Sequence, residues 1–234
     1  MPPSKAITPG LARCYALLPC AGSGSRAGTE GPKQYRPLAG RPLVEHTLAA
    51  IRLVSRIELC LVVTAPGDRV LADPGAWYRV ADCGGATRAH SVLAGLRRLV
   101  HLGMRPEDWV LVHDATRCLV TPALIDALID ACHDDPVGGL LAMPLADTLK
   151  AAQGDRVTAT LERAGKWLAQ TPQMFRAGLL LQALAQATDQ VTDEASAIEA
   201  MGHAPRLVRG SMRNIKVTWP EDFALAEALL KGTT

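Results

Sequence analysis

The sequence predicts one α/β domain built on a largely parallel sheet. Short apolar runs rich in branched residues alternate with segments whose apolar residues recur at helical spacing. A glycine-rich turn follows the first such run directly, and no repeat, low-complexity tract or linker divides the 234 residues. In an open sheet of this class, ligands lie beyond the carboxyl ends of the strands. The loops that follow strands are therefore where chemistry is sought.

Taken in order, a tail over 1–13 precedes a domain expected over 14–234. "CYALLP" (14–19) is a short apolar run ending in turn residues and reads as a buried strand. "PLVEHTLAAIRLV" (42–54) carries Leu43, Val44, Leu48, Ile51 and Val54 at helical spacing, with Pro42 tolerated in the first turn. "IELCLVV" (57–63) is a second strand and "YRVAD" (78–82) a third. "TRAHSVLAGLRRLV" (87–100) returns to a helix and "WVLVH" (109–113) to a strand. Thr121 and Pro122 supply an N-cap and a first-turn proline for a helix to Cys132.

"VGGLLAMP" (137–144) is strand-like, 147–175 is less regular, and 147–172 is the one stretch expected to leave the core. Thr192 is expected to cap a helix ended by Gly202, and "PRLVR" and "NIKVT" read as closing strands. Thr218 to Glu221 has capping-box spacing ahead of a last helix, "EDFALAEALL".

Bulk properties exclude several classes. A formal charge of +2 argues against binding nucleic acid or a membrane surface through overall electrostatics. Six cysteines are scattered without C-x-x-C or metal-type spacing, which suits reduced thiols. No unbroken apolar stretch approaches the length of a bilayer span, and the leader lacks an apolar core, so a soluble cytoplasmic protein is expected.

The loop after the first strand, "PCAGSGSRAGTEGPKQY" (19–35), brings glycines and hydroxyls together with Arg26 and Lys33. Glycine allows close backbone approach, and converging N–H groups bind anions. The P-loop pattern is absent. Gly22, Gly24 and Ala27 match a dinucleotide fingerprint, but Gly28, Gly31 and Pro32 keep the segment open where that fold requires a helix. What remains is a long loop whose amides and cations surround a polyphosphate, against the plainer alternative of a solvated surface loop.

"VLVHDATR" places Asp114 at the end of a strand, where a Mg²⁺–nucleotide complex would find an oxygen ligand. The alternative is a turn-capping Asp; His113 reads as core and Cys118 as a bystander thiol. "GGATRAHS" (84–91) offers Gly84, Gly85, Arg88 and Ser91 to a ribose or base, or merely makes a turn. Lys150, Arg163, Thr171 and Lys216 add cations and hydroxyls, while "TDEAS" (192–196) reads first as a helix cap. No Ser-His-Asp or Cys-His set is evident. A cationic site with one carboxylate suits a nucleophile that is already an anion, such as a phosphate monoester attacking a nucleoside triphosphate.

The ordered set "PCAGSGSRAGTEGPKQY", "GGATRAHS", "VLVHDATR", "ADTLK", "LAQTPQMF", "TDEASAIEAMG" and "NIKVTWPED" closely resembles the 2-C-methyl-D-erythritol 4-phosphate cytidylyltransferases over about 14–230. The resemblance implies a single Rossmann-like nucleotidyltransferase domain, acting with Mg²⁺ on CTP and a polyol phosphate and releasing pyrophosphate. It implies nucleotide contacts from Pro19, Cys20, Ala21, Gly22, Ser23, Gly24, Ser25, Gly84, Gly85, Arg88, Ser91, Asp114 and Ala115, with Asp114 as the metal ligand. Arg26, Lys33, Arg163 and Lys216 are implied as catalytic. Arg117, Thr148, Arg163, Thr171 and Lys216 are implied at the sugar phosphate.

An arm within about 147–170 is implied to embrace a second subunit, giving a homodimer. Cys20 stands where alanine is usual, Ser25 where many members carry a basic residue, and Thr116-Arg117-Cys118 where Ala-Arg-Pro is commoner. Rival readings are a ribitol 5-phosphate cytidylyltransferase, a hexose 1-phosphate nucleotidyltransferase and a non-catalytic nucleotide-binding homologue.

Overall fold

A computed structural model describes residues 12–22, 31–187 and 191–232. Its centre is a seven-stranded sheet of β1 (Cys14–Pro19), β4 (Ile57–Val63), β5 (Tyr78–Ala81), β6 (Trp109–Val112), β7 (Gly138–Pro144), β10 (Trp167–Arg176) and β11 (Arg206–Arg209). The spatial order is β11-β7-β10-β6-β1-β4-β5. β1 pairs in parallel with both β4 and β6, β4 with β5, and β11 with β7. β10 alone runs against its neighbours β6 and β7. Short β2 (Pro37–Leu38) and β3 (Arg41–Pro42) form a ribbon ahead of the first helix.

Helices cover both faces, and the strands show why. Along β1, Ala16 and Leu18 face a core with α1 (Leu43–Arg52) and α3 (Pro122–Cys132). Tyr15 and Leu17 face the opposite core with α2 (Arg88–His101), α4 (Ala177–Ala185) and α5 (Glu194–Ala200). A strand buried on both sides therefore reads as an unbroken apolar run although its residues alternate. A third cluster seats α6 (Pro220–Lys231) on Leu38, Leu43, Leu119 and Val217 through Phe223 and Ala226.

The α3 start is as expected: Thr121 accepts from the Leu124 amide and Pro122 opens the helix. Other boundaries differ. Asn214–Thr218 is not a strand: Val217 makes one backbone bond, donating to the Thr116 carbonyl at 3.0 Å, and its side chain packs beneath α6. The alternation of Ile215, Lys216 and Val217 comes from packing on one side, without ladder pairing. Asp193, not Thr192, caps α5, through an oxygen that accepts from the Ser196 amide at 2.9 Å. Ahead of α6 the residue reaching back is Asp222, not Glu221; it accepts from the amides of Thr218 and Trp219. Pro42 precedes α1 and does not enter its first turn.

The irregular stretch resolves into a two-stranded hairpin, β8 (Leu149–Gln153) and β9 (Arg156–Leu161), followed by β10. The hairpin is almost wholly exposed, with Val157 64% and Leu168, just beyond it, 52% accessible. β10 changes character along its length: Trp167–Ala169 is exposed, whereas Gln170–Phe175 is buried between β6 and β7. No helix among the described residues is long and apolar enough to cross a membrane.

Candidate active site

A cavity of about 450 Å³ opens at the carboxyl ends of β1 and β6, walled by the loops that follow them and by the start of α2. Its floor is backbone. Beyond β1 the chain runs Cys20-Ala21-Gly22, and Gln34 ties that segment down by donating to the Cys20 and Gly22 carbonyls at 2.8 and 3.0 Å. This anchoring places Lys33, one residue earlier, at the rim.

The loop after β5 meets the first loop edge to edge. A Cβ on Gly84 would lie 2.3 Å from the Ala21 Cβ and 2.7 Å from the Thr64 carbonyl oxygen, so only glycine fits. Gly85 donates to Ser91 Oγ at 3.1 Å, and that hydroxyl donates to the Thr87 carbonyl at 3.0 Å, closing the turn into α2. Thr87 caps the helix by accepting from the His90 amide.

Asp114 is the electrostatic centre. Its carboxylate receives Arg88 Nε at 2.9 Å on one oxygen and Lys216 Nζ at 2.7 Å on the other. Burial alone would push this carboxyl up, but the Arg88 and Lys216 charges outweigh it and hold the group well below the usual carboxylate range. The terminal nitrogens of Arg88 pair with both oxygens of Glu194 at 2.7 and 3.0 Å. Burial would lower the Arg88 pKa; Glu194 and Asp114 reverse that and raise it.

A hydrogen-bond chain fixes Asp114 from behind. Its amide donates to Thr171 Oγ1 at 3.0 Å. Because His113 Nε2 lies 3.2 Å from the Arg117 carbonyl, which can only accept, Nε2 carries the proton. His113 Nδ1 is then the acceptor, and Thr171 donates to it at 2.9 Å. Burial lowers the His113 pKa to about 4, which keeps the ring neutral as this arrangement requires.

The structure gathers Pro19, Cys20, Ala21, Gly22, Lys33, Gly85, Arg88, Ser91, Asp114, Ala115 and Lys216 around the cavity. Gly84 lies behind Ala21, and Thr171 sits beneath Asp114 with 5% of its surface exposed. Arg117 does not line the cavity; its guanidinium donates to the carbonyls of Asn214 at 2.7 Å and Ala169 at 3.3 Å. Thr148 and Arg163 sit at the foot of the hairpin, away from the cavity, and Arg163 donates to the Ala146 carbonyl. Ser23, Gly24, Ser25 and Arg26 lie outside the described residues.

Gln34 and Glu194 belong to the site but carry no sequence signal as ligands. The sequence reads Glu194 first as part of a helix cap, yet it is 1% exposed and pairs with Arg88. Burial pushes the thiols of Cys20 and Cys118 up to about 12, which removes them as nucleophiles.

Among the described residues no group of three or more His, Cys, Asp or Glu side chains forms a metal cluster. The ionised Asp114 carboxylate at the cavity wall nonetheless fits Mg²⁺, which commonly takes one or two carboxylates and draws its other ligands from phosphates and water.

Known proteins match this chain in sequence and in fold. A family model described as "IspD: 2-C-methyl-D-erythritol 4-phosphate cytidylyltransferase" matches residues 14–232. A bifunctional IspD/IspF enzyme of Albidiferax ferrireducens is 62% identical over 221 residues, 93% of this chain; the match spans only 53% of that longer protein. The 2-C-methyl-D-erythritol 4-phosphate cytidylyltransferase of Burkholderia cenocepacia is 54% identical over 93% of this chain and 96% of its own length.

Among solved structures, a 4-diphosphocytidyl-2C-methyl-D-erythritol synthase superposes with a TM-score of 0.83 at 37% identity, covering 94% of this chain and 99% of that one. The Francisella tularensis enzyme gives 0.81 at 32% identity, covering 93% and 99%. A family match over nearly the whole chain and a shared architecture together show that this chain belongs to the 2-C-methyl-D-erythritol 4-phosphate cytidylyltransferase (IspD) family.

Proposed function

We infer that this chain transfers the cytidylyl group of CTP to 2-C-methyl-D-erythritol 4-phosphate. The products are 4-diphosphocytidyl-2-C-methyl-D-erythritol and pyrophosphate, in non-mevalonate isoprenoid precursor synthesis. The observation that carries this reading is the cavity beyond the sheet's carboxyl edge, lined by Lys33, in which Arg88 and Lys216 converge on Asp114.

The nucleotide lies over the backbone floor of Ala21 and Gly22, its ribose and base toward Gly85 and Ser91. Arg26 and Lys33 hold the phosphates and stabilise charge developing on them. A phosphate oxygen of the polyol, already an anion with a second pKa near 6, attacks the α-phosphorus, so no general base is needed. One P–O bond forms there as the bond to the β-phosphate oxygen breaks, and pyrophosphate carries away the electron pair. Mg²⁺ held at Asp114 would neutralise phosphate charge. Lys216 sits beside Asp114, where an incoming phosphate can meet it, and Arg117, Thr148, Arg163 and Thr171 complete the polyol side.

Thr148 and Arg163 stand at the hairpin foot and do not line this chain's own cavity, which supports a homodimer in which each arm serves its partner's site. The exposed Val157, Leu161, Trp167 and Leu168 supply apolar surface for that contact. The domain is taken as 14–234 with the arm within 147–170, and a cytoplasmic location fits six unpaired, mostly buried thiols.

The experiment is pyrophosphate release with CTP and each polyol phosphate, followed by a scan of UTP, GTP and ATP. Strong preference for CTP with methylerythritol phosphate is expected. Preference for ribitol 5-phosphate, for a hexose 1-phosphate with another nucleotide, or no turnover would each overturn it. Light scattering at working concentration should report a dimer; a monomer would remove the arm assignment.

A further inference from the structure

The two acidic residues at the start of α5 divide their work. Asp193 caps the helix and also accepts from Gln173 Nε2 at 2.8 Å. Glu194 caps nothing. Its carboxylate is buried behind the cavity wall and meets the two terminal nitrogens of Arg88, whose Nε donates to Asp114. A fully buried carboxylate is costly unless paired, so its place calls for more than a favourable helix dipole.

We propose that Glu194 is a positioning residue for the nucleotide cavity: by occupying both terminal nitrogens of Arg88, it limits that guanidinium to a single Nε contact with Asp114. The inference rests on reading the cavity as the CTP site. A guanidinium is a planar fork that prefers two parallel bonds to one carboxylate. With Glu194 neutralised, the carboxylate left to Arg88 in this cluster is Asp114. Both Asp114 oxygens already accept one donor each, from Arg88 Nε and Lys216 Nζ; a bidentate pair would add a guanidinium donor on the Lys216 side and take up the lone-pair positions a cation would need.

Glu194 is well placed for this work. Its helix is pinned by the Asp193–Ser196 capping box and by Gln173, whose Oε1 accepts from the Ala195 amide at 2.8 Å. The charge balance points the same way. Arg88 and Lys216 now face two carboxylates, so removing one leaves the cluster more positive. Nucleotide binding without metal should then hold or strengthen, while the gain conferred by metal shrinks. A residue that merely stabilised the fold would not separate the two.

The test is titration calorimetry of CTP with wild type, Glu194→Gln and Glu194→Asp, each in EDTA and in Mg²⁺, with thermal unfolding alongside. Glu194→Gln is expected to bind CTP in EDTA as well as wild type and to lose about tenfold of the Mg²⁺-dependent gain, within the range for residues that orient metal ligands. Its KM for CTP at saturating Mg²⁺ should rise by a similar factor, in step with the affinity lost there. An unchanged Mg²⁺ gain, or equal loss of affinity with and without metal, overturns the proposal. If the Gln variant does not fold, Glu194→Asp decides: a reduced Mg²⁺ gain supports the role, and a full one overturns it. Wild type that binds no CTP overturns the reading of the cavity and this inference with it, whereas an unaltered Gln variant beside competent wild type overturns the inference alone.

Discussion

Replacing Thr171 with Val keeps the shape and removes one hydroxyl, which makes it a clean perturbation of the support beneath Asp114. That hydroxyl accepts the Asp114 amide at 3.0 Å and donates to His113 Nδ1 at 2.9 Å, both out of contact with solvent. The substitution leaves a buried donor and a buried acceptor without partners, each costing about 1–3 kcal/mol. Local relaxation offsets part of this, so a loss of about 3 kcal/mol is expected. For a domain of this size that corresponds to a fall in Tm of about 6–12 °C.

The assay is thermal and urea unfolding of wild type, Thr171→Val and Thr171→Ser. Serine keeps the hydroxyl and should stay within about 1 kcal/mol of wild type, the value of one buried methyl. A Val variant as stable as wild type, or a Ser variant as destabilised as Val, would refute the hydrogen-bond chain. Stability is the right readout because Thr171 is also proposed at the polyol phosphate, where kinetic effects would have two causes.

His113 supplies a pH signature: its folded pKa, about 4, lies below the ordinary value of 6.5, so the unfolded chain binds the proton more readily. Its contribution is intact above pH 6.5 and is lost as pH falls toward 4, by up to about 3 kcal/mol, and a His113→Asn variant should show a correspondingly flatter acid limb in urea unfolding. Gly84→Ala must push Ala21 or the Thr64 backbone aside, which should cost about 1–3 kcal/mol in urea unfolding and weaken CTP binding in calorimetry. Lys33→Ala should leave Tm near wild type and reduce kcat by about 10²–10³-fold; near-normal turnover would show that the loop's charge is not catalytic.

How much of this was readable in advance depended on whether a residue's role is local. Thr121 and Pro122 act on the turn they begin, and α3 starts where they predict. The run over β1 is buried on both faces, so its apolar character alone reveals it. "AGLLLQALA" gave no helical signal because α4 shows little polar face to betray its period. Asn214 illustrates the opposite failure: strand-like alternation follows it, but its side chain donates to the Thr171 carbonyl at 2.9 Å and shapes a turn.

In the site, Lys33 and Asp114 could be singled out by charge in a glycine-rich loop and at a strand end, whereas Lys216 was informative only as one of a set of cations and hydroxyls. Glu194 could not, because its partner Arg88 is 106 residues away and an acid at a helix start already has a sufficient local explanation.

The cavity wall is stitched from stretches near positions 20, 34, 85, 114 and 216. No contiguous fragment contains it, and a chain missing any one stretch presents incomplete surfaces instead of a weaker pocket. Binding competence is thus a property of the finished tertiary fold. The free energy of ligation is correspondingly felt by distant segments at once, so a bound nucleotide would raise resistance to unfolding across the whole molecule, well beyond the glycine loop it touches.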